Sequence, residues 1–521
     1  MPENVSSGAP VSVFTAQAAR RFAPQTAVIH GRQRWSFAEF DTVVERLASG
    51  LAERLPAGER ACVFLSNRPE CMFLQAALER AGIVRIPVNA RLTAHEVAAI
   101  VADSEAAVLF YDATTADRLG PLMQAQGPRL LWLCAVDSDA RVNGPAYADL
   151  LTASVTPERL HRAGWDDLCS INYTSGSSGR PKGVMLTHRN WVAVYRNMLI
   201  DRDIRCDDIV AHIGPLSHAS GTYFMPWFLR GATNVIIEGS SVENLLQAIK
   251  NMGVTVFTCV PTVLTRIVNH PNIDDYDLST LRAIGYGAEP IPRNTLEKAL
   301  DHFGPILTQN YGLTEAMMTC ITLSPQDHFA PDGSPRIGAL GRAYSFVEVV
   351  LRAPDGAPVA PGEIGEITVR SEHVMAGYWR MPEETAKVLR DGWLWSGDLA
   401  RMDESGLITL AGRSKEMLIS GGFNIYPQEL EAVLTSCPRI LEAAVIGVPD
   451  PKWGEAAVAF VSTVPGVSDE VAPIIEFCKP ILGFKTPKQF IVLPSLPKNG
   501  NGKVDKINLR DRLSAEMRHE Q

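Results

Sequence analysis

A run of small, hydroxylated and basic residues at positions 173–183, YTSGSSGRPKG, has the composition of an anion-binding loop. Glycine lets backbone N–H groups approach a phosphate closely, hydroxyl groups add donors, and lysine adds a point charge. The apolar residues before the run predict a strand and those after it a helix, a setting in which phosphate loops often occur. A flexible linker is the alternative for this run alone, and its spacing is not that of a Walker A loop. The candidate anion-binding residues are Thr174, Ser175, Gly176, Ser177, Ser178, Gly179 and Lys182.

Five further short motifs place glycines beside acidic, basic or hydroxyl side chains. Each one alone is as readily an ordinary turn or surface loop, because Gly-rich segments with polar residues are common there. The motifs are GYGAEP from Gly285, NYGLTE from Asn310, WSGD from Trp395, GRSKEM from Gly412 and PKNGNGK from Pro497.

Hydrophobic periodicity predicts the elements that would position these motifs. Apolar residues from Phe37 to Leu55 recur at three- and four-residue steps, which predicts a helix with one buried face. Strand and helix patterns then alternate from Ala61 onward, as in a series of parallel βαβ units. After about residue 330, short apolar runs between Gly- and Pro-rich turns predict small antiparallel strands. A separate C-terminal domain is predicted from about residue 413.

In combination these motifs resemble those of the adenylate-forming superfamily, which includes acyl-CoA synthetases, adenylation domains of peptide synthetases and beetle luciferases. The resemblance extends from about Phe14 to about Leu513. It implies an α/β fold whose large N-terminal domain, residues 1–412, contains βαβ sheets plus a small β-barrel. It also implies a small mobile α+β C-terminal domain, residues 413–521, with a hinge near Lys415. Many relatives have Asp at the hinge, and Lys is also common there.

The resemblance assigns roles in binding ATP, Mg²⁺ and coenzyme A. It implies that Tyr311 lies against the adenine, that Thr314 meets the α-phosphate and that Glu315 holds the metal. Asp398 and Arg413 would bind the ribose. The catalytic residues it implies are Lys503, which would bridge the acid and the phosphate, together with Glu315, Thr174 and His218. Further nucleotide and CoA contacts are implied for Gly287, Ala288, Glu289, Asn310, Gly312, Gly421 and Gly422, the last two beside the pantetheine tunnel.

The acid would bind beside PLSHASG, a segment that resembles the family's border of the acyl pocket. Tyr223 and its aromatic neighbours are equally well core residues, so their place in the pocket is open. No charged residue in GTYFMPWF is placed to read an amino group, which favours an aryl or a medium- to long-chain aliphatic acid over an amino acid. The predicted pocket residues are His218, Tyr223, Val260, Gly285 and Gly287.

Composition limits the remaining classes of protein. With 521 residues, 46% of them hydrophobic and 21% charged, the chain has the make-up of a folded protein of two or more domains. A net charge of −9 argues against a general nucleic-acid binder. The nine cysteines form no C-x-x-C pair of the zinc type, and no apolar run is long enough for a membrane span. We therefore expect a cytoplasmic protein, and a homodimer is left open.

These observations predict an acid:CoA ligase that forms an acyl-adenylate from ATP, releases pyrophosphate and then makes a CoA thioester. Its partners would be a small carboxylic acid and coenzyme A. One alternative is an adenylation enzyme that loads the phosphopantetheine of a carrier protein. The other is a non-catalytic nucleotide-binding regulator, which should have lost Lys503, Glu315 or the loop hydroxyls, and this chain keeps them.

Overall fold

A computed structural model of the protein describes residues 8–124, 130–138, 141–161, 163–174, 181–420, 423–450, 452–464, 466–498 and 504–519. These residues form three β-sheets with helices packed around them. Two sheets belong to a large N-terminal domain and the third to a smaller C-terminal domain. The predicted α/β class is therefore confirmed.

The largest sheet of the described residues has 14 strands and changes character along its width. Its second half, from Leu307–Tyr311 onward, is parallel apart from the last edge strand. The antiparallel strands predicted after residue 330 are present and continue this sheet. In hydrogen-bonded order the strands are Glu348–Arg352, Ile364–Arg370, Trp393–Met402 (which also pairs with Leu389–Arg390), Ile408–Arg413, Ala339–Ala343, Ile321–Leu323, Leu307–Tyr311, Ala283–Gly287, Val256–Cys259, Ile209–His212, Thr233–Ile236, Thr26–His30 and Gln33–Ser36.

The other two sheets are smaller. Strands of the second sheet in order are Gly377–Tyr378, Lys182–Thr187, Leu168–Thr174, Val84–Pro87, Arg60–Phe64, Val108–Tyr111, Trp132–Ala135 and Arg141–Val142. The third sheet contains Phe423–Ile425, Leu418–Ser420, Gly454–Thr463 and Ile440–Asp450, with Gln489–Val492 also paired to Gly454–Thr463.

Helix boundaries follow from local chemistry. Ser36 caps the first helix predicted from periodicity: its hydroxyl accepts from the Glu39 N–H at 3.2 Å, and the Glu39 carboxylate accepts from the Ser36 N–H at 2.8 Å. Gly82 ends the next helix with φ of 69°, a conformation that glycine adopts without strain. The α-helices are Val11–Arg21, Phe37–Ala52, Pro69–Ala81, Ala94–Ser104, Gly120–Gln124, Tyr147–Leu151, His188–Asp201, Ala219–Arg230, Val242–Met252, Pro261–Val268, Arg293–Phe303, Pro382–Val388, Pro427–Thr435, Ala472–Leu482 and Lys506–His519.

The predicted setting of the anion-binding run is wrong. The run joins two antiparallel strands, Leu168–Thr174 and Lys182–Thr187, and the helix begins only at His188. The residues from Lys182 onward form a strand because they pair along their whole length with the strand before the run. Thr187 then starts the helix, since its hydroxyl accepts from the Asn190 N–H at 3.2 Å.

An aromatic cluster in the main core joins helices from distant parts of the N-terminal domain. Phe40 of the first predicted helix lies 5.3 Å from Phe73 and 4.7 Å from Phe228, measured between ring centroids. Phe224 packs on Phe228 at 5.2 Å. Because these rings are fully or almost fully buried, the cluster holds the helix Ala219–Arg230 firmly against the rest of the domain.

Candidate active site

Two neighbouring parallel strands, Ala283–Gly287 and Leu307–Tyr311, bring the GYGAEP and NYGLTE motifs together at their carboxyl ends. This edge is where open parallel sheets bind ligands. Gly287 pairs with Asn310, and a Cβ at Gly287 would lie 2.2 Å from the Asn310 carbonyl oxygen. Only glycine therefore fits at this close approach of the two strands.

Three residues that the sequence assigned to the nucleoside form one cluster at this edge. The Tyr311 hydroxyl donates to Asp398 Oδ2 at 2.7 Å, and Arg413 Nε lies 3.1 Å from Asp398 Oδ1. Asp398 and Arg413 face each other on adjacent antiparallel strands, and Asp398 is 5% exposed. Burial raises the pKa of Tyr311 well above its usual value, and the Asp398 charge raises it further. The tyrosine therefore remains a donor, and both carboxylate oxygens are engaged.

A second chain of contacts links Glu315 to the anion-binding run. Glu315 Oε1 accepts a 2.7 Å hydrogen bond from the Tyr378 hydroxyl. Lys182 Nζ lies 5.0 Å from the centre of the Tyr378 ring and 2.6 Å from Glu384 Oε2. The hydrogen bond from Lys182 is the main cause that lowers the pKa of Glu384 to about 2. The sequence analysis missed Tyr378 and Glu384, since both come from a distant helix and strand with no nucleotide motif of their own.

The remaining predicted nucleotide contacts divide into described and undescribed residues. Thr174 ends one strand and pairs with Lys182 at the start of the next, so the two lie on either side of the central residues of the run. Gly312 and Thr314 lie on the loop between Tyr311 and Glu315. Ala288 follows Gly287 with φ of 71°. The predicted residues outside the described part of the chain are Ser175, Gly176, Ser177, Ser178, Gly179, Gly421, Gly422 and Lys503.

Glu289, a predicted nucleotide contact, forms hydrogen bonds with the start of a helix. Its Oε1 accepts from the Thr262 N–H at 3.0 Å and from the Thr262 hydroxyl at 2.6 Å. Thr262 lies in the first turn of the helix Pro261–Val268, which Val260 precedes as N-cap. The carboxylate therefore accepts a hydrogen bond at the start of that helix, where backbone N–H groups have no partner within the helix. Val260 is half-buried beside it.

The segment around His218 is fixed from the second sheet by Asn67, a residue that the sequence analysis missed. The Asn67 amide donates to the Gly214 carbonyl at 2.8 Å and accepts from the Leu216 N–H at 2.9 Å. His218 itself is exposed and stands at the N-cap of helix Ala219–Arg230, with Nδ1 at 3.0 Å from the Ser217 hydroxyl. The Asn67 side chain thus fixes the position of the backbone just before His218.

The Asn310 side chain points to a buried polar cluster on the side of the predicted acyl pocket. Its Oδ1 accepts from Arg202 Nη1 at 2.8 Å and from the Tyr344 hydroxyl at 2.6 Å, and its Nδ2 donates to the Tyr223 hydroxyl. A Cβ at Gly285 would lie 3.3 Å from Arg202 Nη2. Arg202 directly follows a helix and lies in the charged run IDRDIR. Such a run is typical of an exposed helix end, so the sequence did not predict that this arginine is buried.

Lys415 lies in the 3-10 turn Ser414–Glu416 and is exposed. This turn connects the strand Ile408–Arg413 of the large sheet to Leu418–Ser420 of the third sheet. The chain therefore passes from the large domain's sheet to the small domain's sheet across the predicted hinge.

Comparison with known proteins identifies the family. The family model for AMP-binding enzymes matches residues 14–379, and the model for the C-terminal domain of AMP-binding enzymes matches residues 429–503. The chain belongs to this family of AMP-binding enzymes.

Three similar proteins illustrate its range. A feruloyl-CoA synthase from Amycolatopsis sp is 38% identical over 95% of this chain and 97% of its own length. The medium/long-chain-fatty-acid–CoA ligase FadD8 of Mycobacterium tuberculosis is 31% identical over 88% of this chain and 83% of its own. The solved structure of the amide bond synthetase McbA from Marinactinospora thermotolerans has a TM-score of 0.87 and 27% identity, covering 96% of this chain and 99% of its own.

The chain is thus an AMP-forming acid:CoA ligase that uses ATP, Mg²⁺ and coenzyme A, as the sequence analysis predicted. Among the described helices, none combines the length and the apolar character needed to cross a membrane. Clusters of three or more metal-ligating side chains are also missing from the described residues. A single carboxylate still suits Mg²⁺, which takes most of its ligands from phosphates and water.

Proposed function

We propose that this ligase activates an aryl acid and that the residues assigned above carry out its two half-reactions. The observation that supports this most is the buried polar cluster beside the predicted acyl pocket, where Asn310 Oδ1 accepts from both Arg202 and the Tyr344 hydroxyl. The 38% identity to a feruloyl-CoA synthase supports the same class of acid. A long alkyl tail would bury apolar surface against these polar groups, which is unfavourable.

In adenylation the protein must bring two anions together, the acid's carboxylate and the α-phosphate of ATP. Tyr311 would pack on the adenine, Asp398 would accept from the ribose hydroxyls, and Thr314 would donate to the α-phosphate. Lys503 would lie between carboxylate and phosphate, where its charge offsets their repulsion and orients the attack. Thr174 and Lys182, with the run between them, would hold the departing pyrophosphate.

Glu315 would hold Mg²⁺, which neutralises phosphate charge when bound. The fit rests on its hydrogen bond from the Tyr378 hydroxyl, which uses Oε1 and orients the carboxylate. Tyr378 stays protonated because burial and the Glu315 charge both raise its pKa. It therefore keeps the carboxylate in place as a donor, and Lys182 Nζ lies over its ring, 5.0 Å from the ring centre.

The second half-reaction would use residues 413–521 as a domain that rotates about Lys415. The described turn Ser414–Glu416, which joins strands of two different sheets, supports a division directly after Arg413, the last residue of the large domain's strand. After rotation, Gly421 and Gly422 would border the tunnel for the pantetheine arm, and His218 would lie beside the thioester that forms.

We also propose that the enzyme acts in the cytoplasm and that two copies can form a homodimer, which light scattering would test.

The proposed function is tested by pyrophosphate release with ATP and Mg²⁺ across aryl, aliphatic and amino acids, each with CoA, a phosphopantetheinylated carrier protein, an amine or no acceptor. We expect release with aryl acids and formation of their CoA thioesters. Acyl transfer to the carrier alone or to the amine alone would contradict the assignment of CoA as acceptor. Bound ATP without pyrophosphate release from any acid would indicate the regulator.

Lys503→Ala separates the two half-reactions. Because one charge at the reacting atoms is lost, adenylation should fall about a thousandfold. Thioester formation from supplied acyl-adenylate should stay within about threefold of the unmodified enzyme, since the lysine then has no pair of anions to bridge. Gly422→Leu serves as the reverse control, with thioester formation lost and adenylation kept. Equal loss of both half-reactions in Lys503→Ala would contradict its role.

A further inference from the structure

Arg202 is a buried cation beside two residues of the predicted acyl pocket. It follows the helix His188–Asp201 as its C-cap and is 9% exposed. Its Cζ lies 5.9 Å from the centre of the Tyr223 ring, and its Nη2 lies 3.3 Å from where a Cβ of Gly285 would be. Because Tyr223 and Gly285 are two of the predicted pocket residues, the guanidinium borders that pocket.

The groups around this cation are neutral. Its Nη1 donates to Asn310 Oδ1, which also accepts from the Tyr344 hydroxyl. Burial raises the pKa of Tyr223 to about 12 and raises that of Tyr344 too, so both phenols stay uncharged. None of the ion pairs among the described residues includes Arg202; the nearby Asp203 pairs with Arg205 and Arg282, and Asp208 pairs with Arg282.

The Arg202 guanidinium can donate to at least one more acceptor. A guanidinium carries five N–H donors, and a buried charge without a counter-charge is unfavourable unless hydrogen bonds surround it. The C-terminal end of the helix offers only a partial negative charge. A Cβ at Gly285 would lie 2.9 Å from Thr258 Cγ2 and 3.3 Å from Arg202 Nη2, so any larger residue there would crowd the guanidinium.

We propose that Arg202 is a specificity-determining residue that donates to an oxygen at the end of the aryl acid opposite its carboxyl group. This rests on the proposed function. The favoured substrates are aryl acids with a hydroxyl, ether or carboxylate oxygen at that end. Acids that end in hydrogen or in an alkyl chain leave the donors unpaired, which is why they are disfavoured.

The experiment compares kcat/KM for 4-hydroxycinnamate and cinnamate, which differ only in the distal hydroxyl, with decanoate as the alkyl acid. The unmodified enzyme should favour 4-hydroxycinnamate by about 30-fold or more, because a site built to pair a hydroxyl rejects the analogue without it. Arg202→Met should reduce this ratio to about threefold or less and improve decanoate relative to 4-hydroxycinnamate. Arg202→Lys should retain part of the ratio, because it keeps one charged donor.

Arg205→Met is the matched control. Arg205 is exposed and pairs with Asp203 on the same segment, so its loss should leave the ratio unchanged. Should Arg202→Met fail to fold, Tyr344→Phe removes one hydroxyl of the same cluster and should lower the ratio partially.

Three outcomes overturn the inference. If the unmodified enzyme does not prefer 4-hydroxycinnamate over cinnamate, Arg202 does not bind the distal oxygen. The same conclusion follows if Arg202→Met leaves the ratio of the two kcat/KM values unchanged. Equal loss for all three acids in Arg202→Met shows that it only supports the fold. In each of these cases CoA thioesters still form, so the proposed function stands. Absence of thioester from every acid overturns both.

Discussion

The two sides of the site pair their cations in opposite ways. On the nucleotide side, Arg413 is paired with Asp398 and Lys182 with Glu384. On the acyl side, Arg202 contacts only neutral groups among the described residues. We infer that a phosphate replaces Glu384 at Lys182, whereas the acid supplies to Arg202 an acceptor that the described residues do not provide.

The largest expected effect concerns Asp398. Asp398→Ala leaves the Tyr311 hydroxyl and Arg413 without their shared acceptor and removes the proposed ribose contact, so kcat/KM for ATP should fall about 100-fold. The ratio between 4-hydroxycinnamate and cinnamate should not change, since Arg202 does not contact Asp398. Steady-state kinetics in ATP and in each acid measure both quantities. Asp398→Asn is the isosteric control, and a shift of the acid ratio in either variant would break the separation of the two sides.

A smaller effect is expected at Asn67, a positioning residue for the segment before His218. Asn67→Ala removes both hydrogen bonds to that backbone, so kcat/KM for the acid and for CoA should fall about tenfold, with KM for ATP within about twofold. Asn67→Asp keeps the acceptor for the Leu216 N–H and should recover part of the loss. If KM for ATP changes as strongly as kcat/KM for the acid, Asn67 stabilises the whole domain and does not act specifically on the acyl side.

The smallest effect tests whether a nucleotide replaces Glu384. Glu384→Gln weakens the contact that holds Lys182 away from a phosphate, so KM for ATP should fall about two- to threefold, a size typical of partly exposed ion pairs. Glu383→Gln, which changes the exposed neighbouring glutamate, is the matched control. A higher KM for ATP in Glu384→Gln alone would mean that this glutamate assists phosphate binding.

The sequence predicted the fold well wherever local patterns decide it. The helix that starts at Phe37, the end of the next helix at Gly82 and the alternation of strands and helices all depend on periodicity, caps and turns. The setting of the anion-binding run failed, because the strand Lys182–Thr187 is specified by pairing with Leu168–Thr174 and not by its own residues.

The site was predictable only where motifs mark it. Tyr311, Asp398 and Arg413 meet as residues of recognised motifs, although the sequence does not give their mutual distances. Arg202 and Tyr378 enter the site through tertiary packing alone. Glu289 shows the reverse case, since a motif residue makes its contacts with the start of a helix. Long-range contacts of this kind leave no pattern in a single sequence.

The most direct test of the contrast between the two sides is a crystal structure with a non-hydrolysable mimic of 4-hydroxycinnamoyl-AMP. We predict an Arg202 guanidinium nitrogen within about 3 Å of the distal oxygen, the distance of a hydrogen bond. We also predict that the Asp398 carboxylate accepts from the ribose hydroxyls. A distal oxygen that lies against apolar side chains, with Arg202 still bonded only to Asn310, would contradict the account.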